Sequence, residues 1–81
     1  MDVTSAQIRA ARGLLDISQK KLASLSKVSL RTIAQIERGS KPASASIVQA
    51  LVLSLEAAGI EFIPGNGAGP GVRLARSSER K

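Results

Sequence analysis

Gln19-Lys20-Lys21-Leu22-Ala23, then Val28-Ser29, then Ile33, Ile36, Glu37 and Gly39, spells two short helices that meet across a tight turn. Ala23 is a small residue where the helices cross closely, Val28 plugs the turn, and Ile33 and Ile36 point inward. Ser29 serves as N-cap of the second helix of the pair. Left facing outward on that helix are Leu30, Arg31, Thr32 and Gln35. An apolar contact, a guanidinium, a hydroxyl and an amide form a set suited to reading base edges and touching phosphates.

Outward from that stretch, Thr4 or Ser5 can cap an earlier helix running to about Leu15, with Ile8, Ala11 and Leu15 on one face and Arg9 and Arg12 elsewhere. Gly13 inside it costs roughly 1 kcal/mol against Ala. Ser18 caps a helix ending near Leu25, and Ser29 caps one that stops at Gly39, a residue able to take the left-handed conformation of a helix C-cap. Residues 40–43 form a loop containing Pro42, after which Ser44 caps a fourth helix ending at Ala58, with Gly59 beyond. In that helix Ile47, Leu51, Leu55 and Ala58 make one stripe, Val48 and Val52 widen it, and Ala50, Leu53 and Ala57 fall to the side. A helix with one buried face needs fewer apolar residues than this. Either the C-terminal segment or a second copy of the chain must cover the rest.

That segment reads as two alternating strands, Ile60-Glu61-Phe62-Ile63 and Val72-Arg73-Leu74, separated by a Gly- and Pro-rich run at 64–71. A hairpin with a mobile loop is expected. An isolated two-stranded hairpin is marginal in water and leaves its edges open. Leu53 and Ala57 with Ile60, Phe62, Ile63, Val72 and Leu74 are therefore expected to build a two-fold interface. Residues 76–81 are polar and basic without periodicity, and are expected to be a disordered tail able to touch phosphates. The organisation expected is residues 1–59 as the helical domain, 60–75 as the hairpin and 76–81 as the tail.

With 81 residues and 43% apolar content, the chain has room for one modest core. The longest apolar run, Ile47 to Ala58, is interrupted by Gln49, Ser54 and Glu56 and is too short to span a bilayer, and no secretory leader is visible. A cytoplasmic protein is expected. Cysteine is absent, which excludes disulfides and thiolate metal sites. Of the formal charge of +6, residues 1–43 hold a net +5 and residues 71–81 a net +3. An anionic membrane would attract such charge, but its usual aromatic anchors are missing, with no Trp or Tyr and one Phe. Catalysis has no support: His, Cys and Tyr are absent and no nucleophile has a base at helical spacing. Asp2, Asp16, Glu37, Glu56, Glu61 and Glu79 form no ligand cluster, so no metal or other cofactor is expected. The glycine run at 65–71 lacks the Gly-Lys-Ser/Thr of a phosphate-cradling loop.

Residues 8–44, IRAARGLLDISQKKLASLSKVSLRTIAQIERGSKPAS, resemble the helix-turn-helix domain of the Cro and phage-repressor family, the XRE family. The resemblance implies a mainly α fold: a four-helix lambda-repressor-like helix-turn-helix domain, here followed by a short C-terminal β-hairpin. It implies a sequence-specific regulator that binds double-stranded DNA as a homodimer, usually as a repressor. Leu30, Arg31 and Gln35 match the base-contacting positions, and Thr32 a position that faces phosphate. Gln19 matches a residue that donates to phosphate and braces the recognition helix, and Ser18 can cap and contact phosphate. Ser29, Arg38, Lys41 and Ser44 complete the expected backbone contacts, while Lys20, Lys21 and Lys27 add long-range attraction. Arg12 and Glu37 match a structural ion pair. The competing reading is an antitoxin-type module that holds a protein partner through its C-terminal region and binds its own operator through the third helix. A scaffold module that does not bind DNA would have no need for Arg31 and Gln35.

Overall fold

Hydroxyl side chains start all four helices. The computed structural model describes residues 3–39 and 44–75, with the order α1 (Ser5–Leu15), α2 (Gln19–Ser26), α3 (Leu30–Arg38), α4 (Ala45–Ala57), β1 (Ile60–Ile63) and β2 (Gly71–Leu74). Thr4, Ser18, Ser29 and Ser44 accept from the backbone N–H of Gln7, Lys21, Thr32 and Ile47 respectively. Each bond satisfies one of the donors that a helix start leaves without a partner. The first three helices end on left-handed residues, Asp16 at φ 57°, Lys27 at φ 65° and Gly39 at φ 71°. With a Cβ that conformation costs roughly 1 kcal/mol or more, so Asp16 and Lys27 carry strain that Gly39 avoids.

Two helix ends differ slightly from the sequence expectation. Helix α2 runs on to Ser26, whose hydroxyl donates to the Leu22 carbonyl at 2.8 Å and accepts from Val28 N at 3.2 Å, closing the turn. Helix α4 stops at Ala57 with Ala58 as its cap, and Gly59 at φ 109° redirects the chain into β1. The expected 40–43 loop and the tail at 76–81 lie outside the described residues.

One apolar cluster holds the structure: Ile8 and Ala11 of α1, Leu22 of α2, Ile33 and Ile36 of α3, Leu51 and Leu55 of α4, and Ile60 and Phe62 of β1. Ala23, Val28, Ile47 and Val52 pack around it. The strands are antiparallel, with Ile60 opposite Leu74, Glu61 opposite Arg73, Phe62 opposite Val72 and Ile63 opposite Gly71. Alternation turns Ile60 and Phe62 toward the helices. Glu61 and Arg73 are left on the outer face, joined by two hydrogen bonds of 3.0 and 2.9 Å. Exposed pairs of this kind add little stability.

Ile60 and Phe62 therefore correct one expectation. They are 3% and 6% exposed because they complete this chain's own core, which removes their side chains from any docking face. Val72 also packs against that core and Ile63 is half-buried. Leu53, Ala57 and Leu74 remain exposed. The hairpin thus covers part of the excess apolar surface of the helices and leaves Leu53 and Leu74 open.

Gln7, 3% exposed, fixes the hairpin in place. Its Oε1 accepts from Thr4 N at 2.9 Å, completing a capping box, while Nε2 donates to the carbonyls of Ile63 at 3.2 Å and Gly71 at 3.0 Å. One amide thus ties the start of α1 to both strands. Gln7→Ala is expected to lower stability by about 1 to 3 kcal/mol, the cost of leaving buried polar groups without partners. Hydrogen exchange should localise the loss to 60–74, and unchanged protection there would contradict this role.

Candidate nucleic-acid interface

The orientation of α3 is set at Glu37, a carboxylate only 4% exposed. Arg12 of α1 grips it in a two-pronged pair, Nε to Oε2 at 2.8 Å and Nη2 to Oε1 at 2.9 Å. Gln19 of α2 donates from Nε2 to Oε1 at 3.0 Å. Arg12 also donates from Nη1 to the Ile17 carbonyl at 2.9 Å, and Arg9 donates to the Glu37 carbonyl. Residues from α1 and α2 thus converge on one residue of α3, and every buried carboxylate oxygen has a partner. This satisfies the condition under which a buried charge is tolerated.

Burial pushes the Glu37 carboxyl up, but the hydrogen bonds from Arg12 and Gln19 and the positive charges of Arg12 and Arg9 outweigh it and hold the group below its ordinary value. The hydrogen bond to Glu37 raises Arg12 in turn, against its own burial. A carboxyl lowered by folding stabilises the fold fully above its unfolded value of about 4.3, and that stabilisation is lost as pH falls through its folded value. The chain has no His or Cys, so side-chain titration should leave stability nearly flat from about pH 5.5 to 8. Below about pH 4.3 the stability gap between the native protein and Glu37→Gln should shrink. A gap that stays constant down to strong acid would contradict the assignment.

Opposite the inward set Ile33, Ile36 and Glu37, helix α3 presents Arg31, Gln35 and Arg38 along one stripe, since each residue advances about 100° round the axis. Leu30 and Thr32 flank Arg31 on either side. Arg31 and Arg38 are exposed, Gln35 and Thr32 are half-buried, and Leu30 is 44% exposed. Among the described residues Arg31, Arg38, Lys20, Lys21 and Lys27 form no ion pair. The Ser29 hydroxyl donates to Thr32 Oγ1 at 2.8 Å. Thr32 therefore keeps its own hydroxyl hydrogen for an outside acceptor. Ser18 uses its oxygen to cap Lys21 N at 2.9 Å, which likewise leaves its hydrogen to donate. Ser44 sits at the start of α4, close to Ser46 with 3.2 Å between hydroxyl oxygens. Lys41 lies outside the described residues.

A family model described as helix-turn-helix matches residues 8–56. The chain belongs to that family. It is a DNA-binding regulator of the XRE, Cro/repressor-like type, a family that is generally not enzymatic. Comparison with curated proteins returns no match. In this helix-turn-helix protein the two helices of the motif are α2 and α3, and the matched span ends inside α4. The hairpin lies beyond it. No helix among the described residues is long and apolar enough to cross a membrane, and no three potential ligand side chains among them gather around a metal position.

Gln7 and Arg9 contribute to this architecture without having been singled out in the sequence. The Thr4-x-x-Gln7 spacing of a capping box was visible. Nothing local announces that the same amide also reaches the strands. For Arg9, one turn before Gly13, no signal distinguishes a carbonyl partner on α3 from solvent.

Proposed function

We propose that the chain is a homodimeric repressor that places α3 of each subunit in the major groove of one half of a near-palindromic operator. The observation that carries this reading is Arg31: an exposed guanidinium without an ion pair among the described residues, on the face of α3 opposite Ile33, Ile36 and Glu37. Leu30, Arg31 and Gln35 would meet base edges. Ser18, Gln19, Ser29, Thr32, Arg38, Ser44 and Lys41 would position the protein on phosphates. Leu53, Ala57 and Leu74, with the half-buried Ile63, offer apolar surface for a two-fold contact, and Leu14 and Leu25 are exposed elsewhere on the helices. Half-site centres would lie about 10 to 10.5 base pairs apart or a multiple of that, and the protein would work in the cytoplasm by occupying promoter DNA.

Selection of bound fragments from the source genome, followed by anisotropy titration against scrambled DNA, tests the reading. A palindrome preferred by about a thousandfold or more is expected, with affinity falling steeply as salt rises. Sedimentation should show a dimer at micromolar concentration. Equal, weak and salt-sensitive binding to both DNAs would overturn the sequence-specific reading and turn the search to a protein partner, with Leu53 and Leu74, 54% and 52% exposed, as its docking surface.

A further inference from the structure

Leu30 is the first residue of α3 and is 44% exposed, although apolar. It adjoins Arg31, which no acid holds among the described residues. An apolar side chain at the leading end of a groove-binding helix can gain only from an apolar group on the DNA. In the major groove the one such group is the methyl on C5 of a pyrimidine, whereas a guanidinium pairs with O6 and N7 of guanine. Neighbouring residues at the end of one helix reach neighbouring bases. Gln35, one turn further along, lies about 6 Å from Arg31 along the axis, nearly two base-pair steps.

We propose, resting on the regulator reading above, that Leu30 and Arg31 together read a 5-methylpyrimidine followed by guanine in each half-site. Thymine and 5-methylcytosine carry the same methyl at the same ring position. The site is therefore sensitive to cytosine methylation: a TG step and a 5-methyl-CG step both bury the methyl against Leu30, and an unmethylated CG step does not. Leu30 sets specificity through this contact, and Arg31 fixes the register by holding the guanine.

The test titrates the full chain against four versions of the selected palindrome, carrying T, U, C or 5-methyl-C before the guanine of each half-site, each paired with its complement. Burying a methyl contributes enough for about a fourfold change per half-site. T should exceed U, and 5-methyl-C should exceed C, by about that factor for each half-site. Leu30→Ala, at an exposed position where Ala suits a helix, should bring both ratios close to one while leaving the melting temperature nearly unchanged. Equal binding of T and U, ratios that survive Leu30→Ala, or a selected palindrome without a pyrimidine-guanine step would each overturn this assignment and leave the regulator reading standing. The absence of any preferred site would overturn both.

Discussion

Arg12→Ala is expected to cost about 3 to 5 kcal/mol of stability, the usual result of removing one partner from a buried ion pair. The loss goes beyond the attraction itself: the Glu37 carboxylate, 4% exposed, would keep only Gln19, and the Ile17 carbonyl would lose its donor. A fold of this length holds roughly 4 to 12 kcal/mol in total. At about 4 to 8 °C per kcal/mol, the melting temperature should fall by at least about 12 °C. DNA affinity should fall with it, because Arg12 and Gln19 tie α3 to the other two helices. Circular-dichroism melts check the first point, and an unchanged midpoint would contradict it. Arg12→Met combined with Glu37→Met should recover much of the loss, since a buried pair replaced whole leaves no charge orphaned. A double variant as unstable as the single one would place the cost elsewhere.

The second large effect should appear in binding and leave the fold intact. On the proposed reading, Arg31→Ala and Gln35→Ala each remove a base contact worth about 1 to 3 kcal/mol of discrimination, and a dimer loses it at two half-sites. Combined, they should reduce the preference for operator over scrambled DNA by several orders of magnitude, at about tenfold per 1.4 kcal/mol. Binding to scrambled DNA should fall far less, since most of the positive charge remains. Arg31 is exposed, and surface changes away from caps and core usually move stability by about 0.5 kcal/mol or less, so the melting curve of Arg31→Ala alone should nearly overlay the native one. A double variant that still prefers the operator by the native margin would take base reading away from these positions.

The sequence carried much of the helical half because its signals there are local. A hydroxyl residue before each periodic apolar run marks Thr4 or Ser5, then Ser18, Ser29 and Ser44, as helix starts, and the N-caps are Thr4, Ser18, Ser29 and Ser44. The inward positions of Ile33 and Ile36 follow from helical spacing alone. The Arg12–Glu37 contact joins residues 25 apart, and no periodicity announces it; the family resemblance does. The hairpin was legible as a hairpin and not in its docking. Alternation says that Ile60 and Phe62 share a face, but it cannot say whether that face meets the chain's own helices or a second subunit. The deciding contact, from Gln7 to strands 56 and 64 residues away, is tertiary.

The anchoring of α3 at Glu37 has a consequence for adaptation. Orientation is enforced by Ile33, Ile36 and Glu37, while the candidate reading residues Leu30, Arg31 and Gln35 belong to a different set of positions on the same nine-residue helix. The two tasks share no side chain. On the proposed reading, descendants of this sequence can therefore exchange the outward positions and drift to new operators without first accumulating compensating changes in the interior. For the same reason α3 is suited to laboratory retargeting, with its outward positions randomised and its anchor left untouched.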